Sequence, residues 1–177
     1  MDLSAVIPTK GDVDLTHIIK SIKDAGIKDV VIADYGQKVY NRFLGVKNAK
    51  HNIIYTQDDD CIVDVKGVID SYIAGIVVNN MPIDRRSFYN EDITLIGWGA
   101  IFDKNLVNVL DGWEHDDLFM TECDRIFTAL NKHKEILVDF KSLDYASDTS
   151  RLSSNDTHWE YLKQIKQRIY EKVGRTV

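Results

Sequence analysis

The chain has 177 residues, 44% of them hydrophobic and 28% charged, which suits one domain with an ordinary core. A net charge of -6 speaks against nucleic acid as a main partner, because polyanion binders concentrate Lys and Arg; here the basic groups are Arg85-Arg86 and a C-terminal set (Lys163, Lys166, Arg168, Lys172, Arg175) that reads as a solvated helix face among acids. No apolar run of signal or membrane length follows Met1, and Cys61 and Cys123 lack any metal-type spacing, so the expectation is a cytoplasmic, reduced protein with no membrane span. Ala5-Val6-Ile7, stopped by Pro8, reads as a first buried strand. Asp14 can cap a helix whose Leu15, Ile18, Ile19 and Ile22 share one face and which ends at Gly26. Val30-Val31-Ile32-Ala33 is a second buried strand, closed by Asp34 and a Tyr35-Gly36 turn. That β-α-β opening implies a parallel pair with a right-handed crossover.

The stretch 39–50 is mixed, with Gly45 as a breaker. Residues 52–56 form a third strand that runs straight into Gln57-Asp58-Asp59-Asp60. Val65, Val68, Ile69, Tyr72, Ile73 and Ile76 predict an amphipathic helix, after which Val77-Val78 begin a strand. Residues 93–96 read as another strand, closed by Gly97-Trp98-Gly99, with extended structure resuming over 100–102. A short helix over 105–110, a longer one over 122–132, a strand over 136–138, a polar loop over 144–156 and a terminal helix through Trp159, Leu162, Ile165 and Ile169 complete the order. Such alternation argues for an α/β sandwich with ligands at the carboxyl ends of the strands.

The acidic triplet Asp58-Asp59-Asp60 is the sharpest chemical feature. Adjacent carboxylates raise one another's pKa values. A solvated acidic turn is the plain alternative, but this triplet lies between an apolar strand and Cys61-Ile62-Val63. A hard cation, Mn²⁺ or Mg²⁺, relieves such a cluster and is commonly shared with substrate phosphates.

Taken in order, Ala5-Val6-Ile7-Pro8-Thr9, the stretch Val30 to Gly36, Tyr55-Thr56-Gln57-Asp58-Asp59-Asp60, Gly97-Trp98-Gly99-Ala100-Ile101-Phe102 and Phe119 to Leu130 resemble the nucleotide-sugar glycosyltransferases of the GT-A fold. The resemblance implies a single-domain, Rossmann-like α/β architecture: a mixed sheet flanked by helices, with residues 1–65 as the nucleotide-sugar half and 66–177 as the acceptor half. It implies that Pro8, Thr9 and Asp34 line the base and ribose. Asp60 becomes the direct metal ligand and Asp58 sits nearer the ribose or a bound water, while Asp59 completes the donor side with its carboxylate turned away. His158 is a further candidate ligand. Trp98 and Gly99 are expected at the donor, where a ring can stack on a sugar and glycine allows close approach. The family's acidic helix element reads Glu122-Cys123-Asp124 here, with the acids split by a cysteine. An inverting enzyme needs a carboxylate to accept the acceptor's proton; Asp124, Asp117 and Glu122 are the candidates, in that order, against a plain role at the helix dipole. Lys10, Arg85 and Arg86 can meet a diphosphate.

The implied partners are a nucleotide-sugar donor, UDP first, and a carbohydrate or other hydroxyl acceptor. No GxxxxGK[ST], GxGxxG or GxSxG motif occurs. Nucleotidyltransferases share a related fold but carry a glycine- and arginine-rich loop after the first strand, which Pro8-Thr9-Lys10-Gly11-Asp12 is not. Two rival classes stand beside sugar transfer: metal-dependent phosphotransfer or hydrolysis at the same triplet, and a sugar-nucleotide-binding module without catalysis.

Overall fold

The computed structural model describes residues 1–84, 93–143 and 156–174, the side chains of Tyr35 and 156–159 apart. Strand β1 (Leu3–Thr9) is buried at every residue. Its side chains alternate between two cores, Val6 on one face and Leu3, Ala5 and Ile7 on the other. The strand runs through Pro8 rather than stopping there. Pro8 lies past Val6, the last β1 residue paired to the third strand, so its missing N–H breaks no ladder on that side.

Helix α1 (Thr16–Asp24) starts where the Asp14 carboxylate accepts the Thr16 N–H at 2.9 Å, and Gly26 ends it with φ +95. Strand β2 (Asp29–Asp34) then pairs parallel to β1. The mixed stretch is a helix, α2 (Tyr40–Asn48), with Gly45 inside it. Gly45 is a packing residue, not a breaker. A Cβ there would stand 2.8 Å from Val6 Cγ1 and 3.0 Å from Ala33 Cβ, so only glycine lets α2 lie this close to β1 and β2.

After β3 (Ile53–Thr56) come β4 (Cys61–Val63) and α3 (Val65–Asp70), a helix shorter than its apolar period predicts. Asp103 draws the chain into turns instead, accepting from Tyr72 Oη and the Gly75 N–H at 2.5 Å each. Strands β5 (Val77–Asn80) and β6 (Ala100–Asp103) follow, then a 3₁₀ segment (Lys104–Leu110). Helix α4 (Asp117–Leu130) starts earlier than predicted, because the Asp116 carboxylate caps the Phe119 N–H at 2.8 Å. Strands β7 (His133–Ile136) and β8 (Phe140–Ser142) and helix α5 (Asp156–Val173) complete the order.

The segment 93–96 is not the strand its composition predicts; only Ile93 forms an isolated bridge. Side chains hold it: Asn79 Nδ2 reaches Thr94 Oγ1 at 3.3 Å and the Leu95 carbonyl at 3.4 Å, and Thr128 Oγ1 donates to the Thr94 carbonyl at 2.8 Å. The late strand likewise sits at 133–136 rather than 136–138, since Val138 N–H goes to Asn80 Oδ1 at 3.1 Å.

The main sheet runs β2-β1-β3-β6-β5-β7, and β4 pairs with β8 in a separate ribbon. β1, β2 and β3 are parallel; β6 runs against both β3 and β5, and β7 runs with β5. The carboxyl ends of β1, β2, β3, β5 and β7 therefore share one edge with the start of β6. Helices α2, α4 and α5 cover one face, while α1 and α3 cover the other. No helix among the described residues is long and apolar enough to cross a membrane.

Gly45→Val is expected to lower stability by about 1–3 kcal/mol, the range for overpacking a tight contact. Urea unfolding followed by circular dichroism reads this directly; an unchanged midpoint would show that α2 can lift off the sheet freely.

Candidate active site

The sheet edge gathers most of the chemistry expected from sequence. Register places Thr9 beside Asp34 at the ends of β1 and β2. Val6 pairs with Thr56, so Thr9 comes level with the triplet that follows β3. The Thr9 hydroxyl donates to the Asp59 carboxylate and accepts the Gly11 N–H at 3.0 Å. Burial pushes the Asp59 pKa up; the Thr9 hydrogen bond opposes this, and the charges of Asp58 and Asp12 add to it. Asp34 is exposed at the strand end, and Pro8 is buried.

The acidic turn is held from several sides. Gln57 is fully buried; its Oε1 accepts from Tyr55 Oη at 2.7 Å and its Nε2 donates to the Cys61 carbonyl at 2.8 Å. The Asp60 carbonyl accepts from Leu143 N–H at 2.7 Å, which ties the turn to the end of β8. Asp58 N–H donates to the Gly97 carbonyl at 2.7 Å, and a side chain at Gly97 would collide with the Asp58 carboxylate. Gly97 is thus glycine because Asp58 occupies the space of its side chain. Gly99 has φ +100, and a Cβ there would meet Val63 Cγ1 at 2.8 Å. Asn80, buried at the end of β5, donates to the Trp98 carbonyl at 3.0 Å, and its own N–H reaches the Gly99 carbonyl at 2.7 Å. Trp98 is half-buried on this clamped segment.

The residue that joins the two halves of the edge is Arg42 on α2, at only 2% side-chain exposure. Its Nη2 donates to Asp58 Oδ1 and its Nη1 to Asp124 Oδ2 on α4. Burial pulls the guanidinium's pKa down, but the charges of Asp124 and Asp58 outweigh it and hold the group firmly protonated. Asp124 is 4% exposed. Burial, countered by Arg42 and reinforced by Asp58, pushes its pKa up to about 6. Its Oδ1 is buried and has no hydrogen-bond partner among the described residues.

Glu122 and Asp117 have other engagements. Glu122 is buried at a kink in α4 and accepts from Arg125 Nε at 2.5 Å. Asp117 lies at the first turn of α4, seven positions and so about 10 Å before Asp124 along the helix. It accepts from Lys38 Nζ and, at 2.7 Å, from Tyr161 Oη; both bonds lower its pKa. His158 falls in the first turn of α5, but its side chain lies outside the described residues, as do Arg85, Arg86 and most of the polar loop. Asp58, Asp59 and Asp60 are all half-buried. Among the described residues no group of three or more His, Cys, Asp or Glu side chains is arranged as a metal cage.

Nothing local in the sequence marks Arg42 or Asn80 as site residues. A weak signal exists for Gln57 alone, a polar residue between an apolar strand and the acids.

No family model and no curated protein matches the sequence. Solved structures do match. A Bacillus anthracis structure described as a glucose-1-phosphate thymidylyltransferase in complex with sucrose aligns with TM-score 0.55 and 9% identity over 79% of this chain and 89% of that one. Staphylococcus aureus TarS bound to UDP-GlcNAc aligns with TM-score 0.52 and 14% identity over 96% and 67%. A Drosophila β-1,4-galactosyltransferase 7 in complex with manganese, UDP-Gal and xylobiose aligns with TM-score 0.53 and 12% identity over 85% and 74%. The chain therefore has the GT-A-like fold, a mixed sheet flanked by helices, which serves both glycosyl and nucleotidyl transfer.

The Asp124 value of about 6 lies above that of an unfolded aspartate, about 3.9. The folded chain thus binds this proton more tightly, and the Asp124 contribution lowers stability as pH rises from about 4 to about 6, then levels off. Asp124→Asn is expected to remove that decline from the pH series of urea midpoints. Parallel wild-type and variant curves across the window would mean that Asp124 titrates as an ordinary carboxylate.

Proposed function

We propose that the chain transfers a sugar from a nucleoside-diphosphate sugar, UDP-linked by preference, to a saccharide or other hydroxyl acceptor with help from a divalent cation. The observation that carries this reading is the single edge on which the acidic turn, the Gly97–Gly99 segment and the α4 carboxylate converge around Arg42. The UDP-sugars held by two of the structurally similar proteins support the choice of donor. The short turn after β1 lacks the glycine- and arginine-rich loop of nucleotidyltransferases, which favours moving the sugar rather than building the nucleotide sugar.

The acidic turn offers only carboxylate oxygens, and Asp58 already commits one of its two to Arg42. That set fits a hard ion that takes its other ligands from substrate phosphates, and does not fit one enclosed by protein. Asp60 and Asp58 would hold it, with His158 as a third candidate. Such an ion, when bound, offsets the charge that grows on the departing diphosphate.

The chain's own residues set the rest. Thr9, Asp34 and the buried end of β1 at Pro8 receive the base and ribose, Asp59 stands beside them, and Trp98 and Gly99 face the sugar. The acceptor oxygen bonds to the anomeric carbon as the bond from that carbon to the diphosphate breaks. The acceptor's proton goes to Asp124, whose buried Oδ1 an acceptor reaches only when the side chains covering it give way. Of the three candidate bases, Asp124 has the matching properties: a pKa of about 6 and an oxygen with no described partner. Asp117 is a weaker base because Lys38 and Tyr161 hold its pKa down, and Glu122 is bonded to Arg125.

Asp60→Ala is expected to abolish cation-dependent donor binding. Calorimetric titration of UDP-glucose, UDP-galactose and UDP-N-acetylglucosamine, with Mn²⁺ and then with chelator, checks it. Undiminished binding by the variant removes Asp60 from the cation site. Phosphate release from simple phosphoesters, with no sugar nucleotide bound, would favour phosphotransfer instead.

A further inference from the structure

We propose that Arg42 is a positioning residue for this reaction, one guanidinium that sets the α4 carboxylate of Asp124 against the donor-side carboxylate of Asp58. The inference rests on the sugar-transfer reading above. Three separate elements meet at this one side chain. Arg42 sits on α2, Asp58 lies 16 residues on in the turn after β3, and Asp124 lies 82 residues on in α4. Each acid takes a different nitrogen, so the planar fork fixes both their separation and their relative angle.

The arrangement is more than an ion pair that holds helices together. Arg42 meets two carboxylates of unlike setting, the buried Asp124 and the half-buried Asp58. Asp124 spends Oδ2 on Arg42 and keeps Oδ1 buried without a partner among the described residues. A buried acceptor without a partner costs stability and returns none. It is explicable if that oxygen is kept for an incoming proton, with the other oxygen used for aim. Nor can the guanidinium drift. Its neighbours Tyr40 and Phe43 pack on Phe119 and Phe127 of α4 with ring centroids 5.1 and 5.2 Å apart, so α2 and α4 are locked on either side of it.

Arg42→Lys separates positioning from charge, since lysine keeps the charge but cannot fork. The probes are the three UDP-sugars named above with Mn²⁺, read as release of UDP. The expected result is a fall in kcat of about 100-fold, the scale for a misplacement of about 1 Å, larger than the accompanying rise in donor KM that comes from the lost bond to Asp58. The double variant Arg42→Lys/Asp124→Asn should be no slower than Asp124→Asn alone, because residues that act as a unit are not additive. If Arg42→Lys keeps wild-type kcat, or if the double variant shows the product of the single losses, Arg42 does not position Asp124. Should Arg42→Lys fail to fold by circular dichroism, the wild-type pH profile stands in for it. A kcat that rises with pH near 6 agrees with Asp124 held by Arg42; a flat profile from pH 5 to 7 overturns the proposal. Wild-type protein that releases UDP from none of the three probes defeats the sugar-transfer reading and this inference together, whereas an active wild type with an unaffected variant defeats this inference alone.

Discussion

A guanidinium at 2% exposure must be matched by negative charge, and much of the site's geometry follows from meeting that need at Arg42. Taking an ion out of water costs several kcal/mol, which is recovered only through well-aimed counter-charges. Arg42 finds them in Asp58 and Asp124, on elements otherwise separate in sequence. Reaching both requires α2 to lie tight against the sheet. Gly45 allows this, three positions and about one helical turn from Arg42. The packing of a glycine and the aim of an arginine are thus two sides of one constraint.

The rest of the edge is stiffened by buried amides and hydroxyls rather than by regular pairing. Gln57, Thr56, Asn79, Asn80 and Thr94 are fully buried. Unbonded, each would cost stability; bonded, they fix loops that no ladder reaches. Asn80 clamps the Trp98 and Gly99 carbonyls, Gly97 in turn accepts from Asp58, and Gln57 closes the turn onto Cys61. The antiparallel course of β6 brings its start, Ala100, to the same edge as the carboxyl ends of its neighbours, opposite Thr56 and Asn79. The glycine segment just before Ala100 can therefore meet an acid from β3 with no long loop.

Strands β1, β2 and β3 and the placement of the triplet were legible because each depends on local signals: apolar runs, a turn after each, acids directly after the third. The first helix was legible from its period and from Asp14. The failures share a different cause. Arg42 in a mixed stretch looks like surface charge, since its burial depends on acids 16 and 82 residues away. Gly45 looks like a breaker, since only the sheet beneath explains it. Residues 93–96 have strand composition, but Asn79 and Thr128 claim their polar groups. The start of α4 was hidden because Asp116 and Asp117 look like loop acids until one of them caps the helix. The three acids around α4 could be named and ordered from sequence, but their partners Arg42, Lys38, Tyr161 and Arg125 could not, because those contacts form only in the fold.

The same fold serves proteins that build nucleotide sugars and proteins that spend them, so the turn after β1 is where the two readings part. A loop that wraps phosphates needs several backbone N–H groups turned toward the ligand. Here the Gly11 N–H is already taken by Thr9 Oγ1, in a turn where Gly11 has φ +81. The Thr9 hydroxyl itself goes to Asp59. The turn is thus bonded inward, to its own strand and to the acidic triplet. That arrangement suits a wall for the base and ribose more than a cradle for a triphosphate. On the proposed reading, a donor diphosphate would be met chiefly from the triplet side, where carboxylates repel it unless a cation stands between. The inward-bonded turn and the acidic turn therefore argue for the same chemistry from opposite sides of the edge.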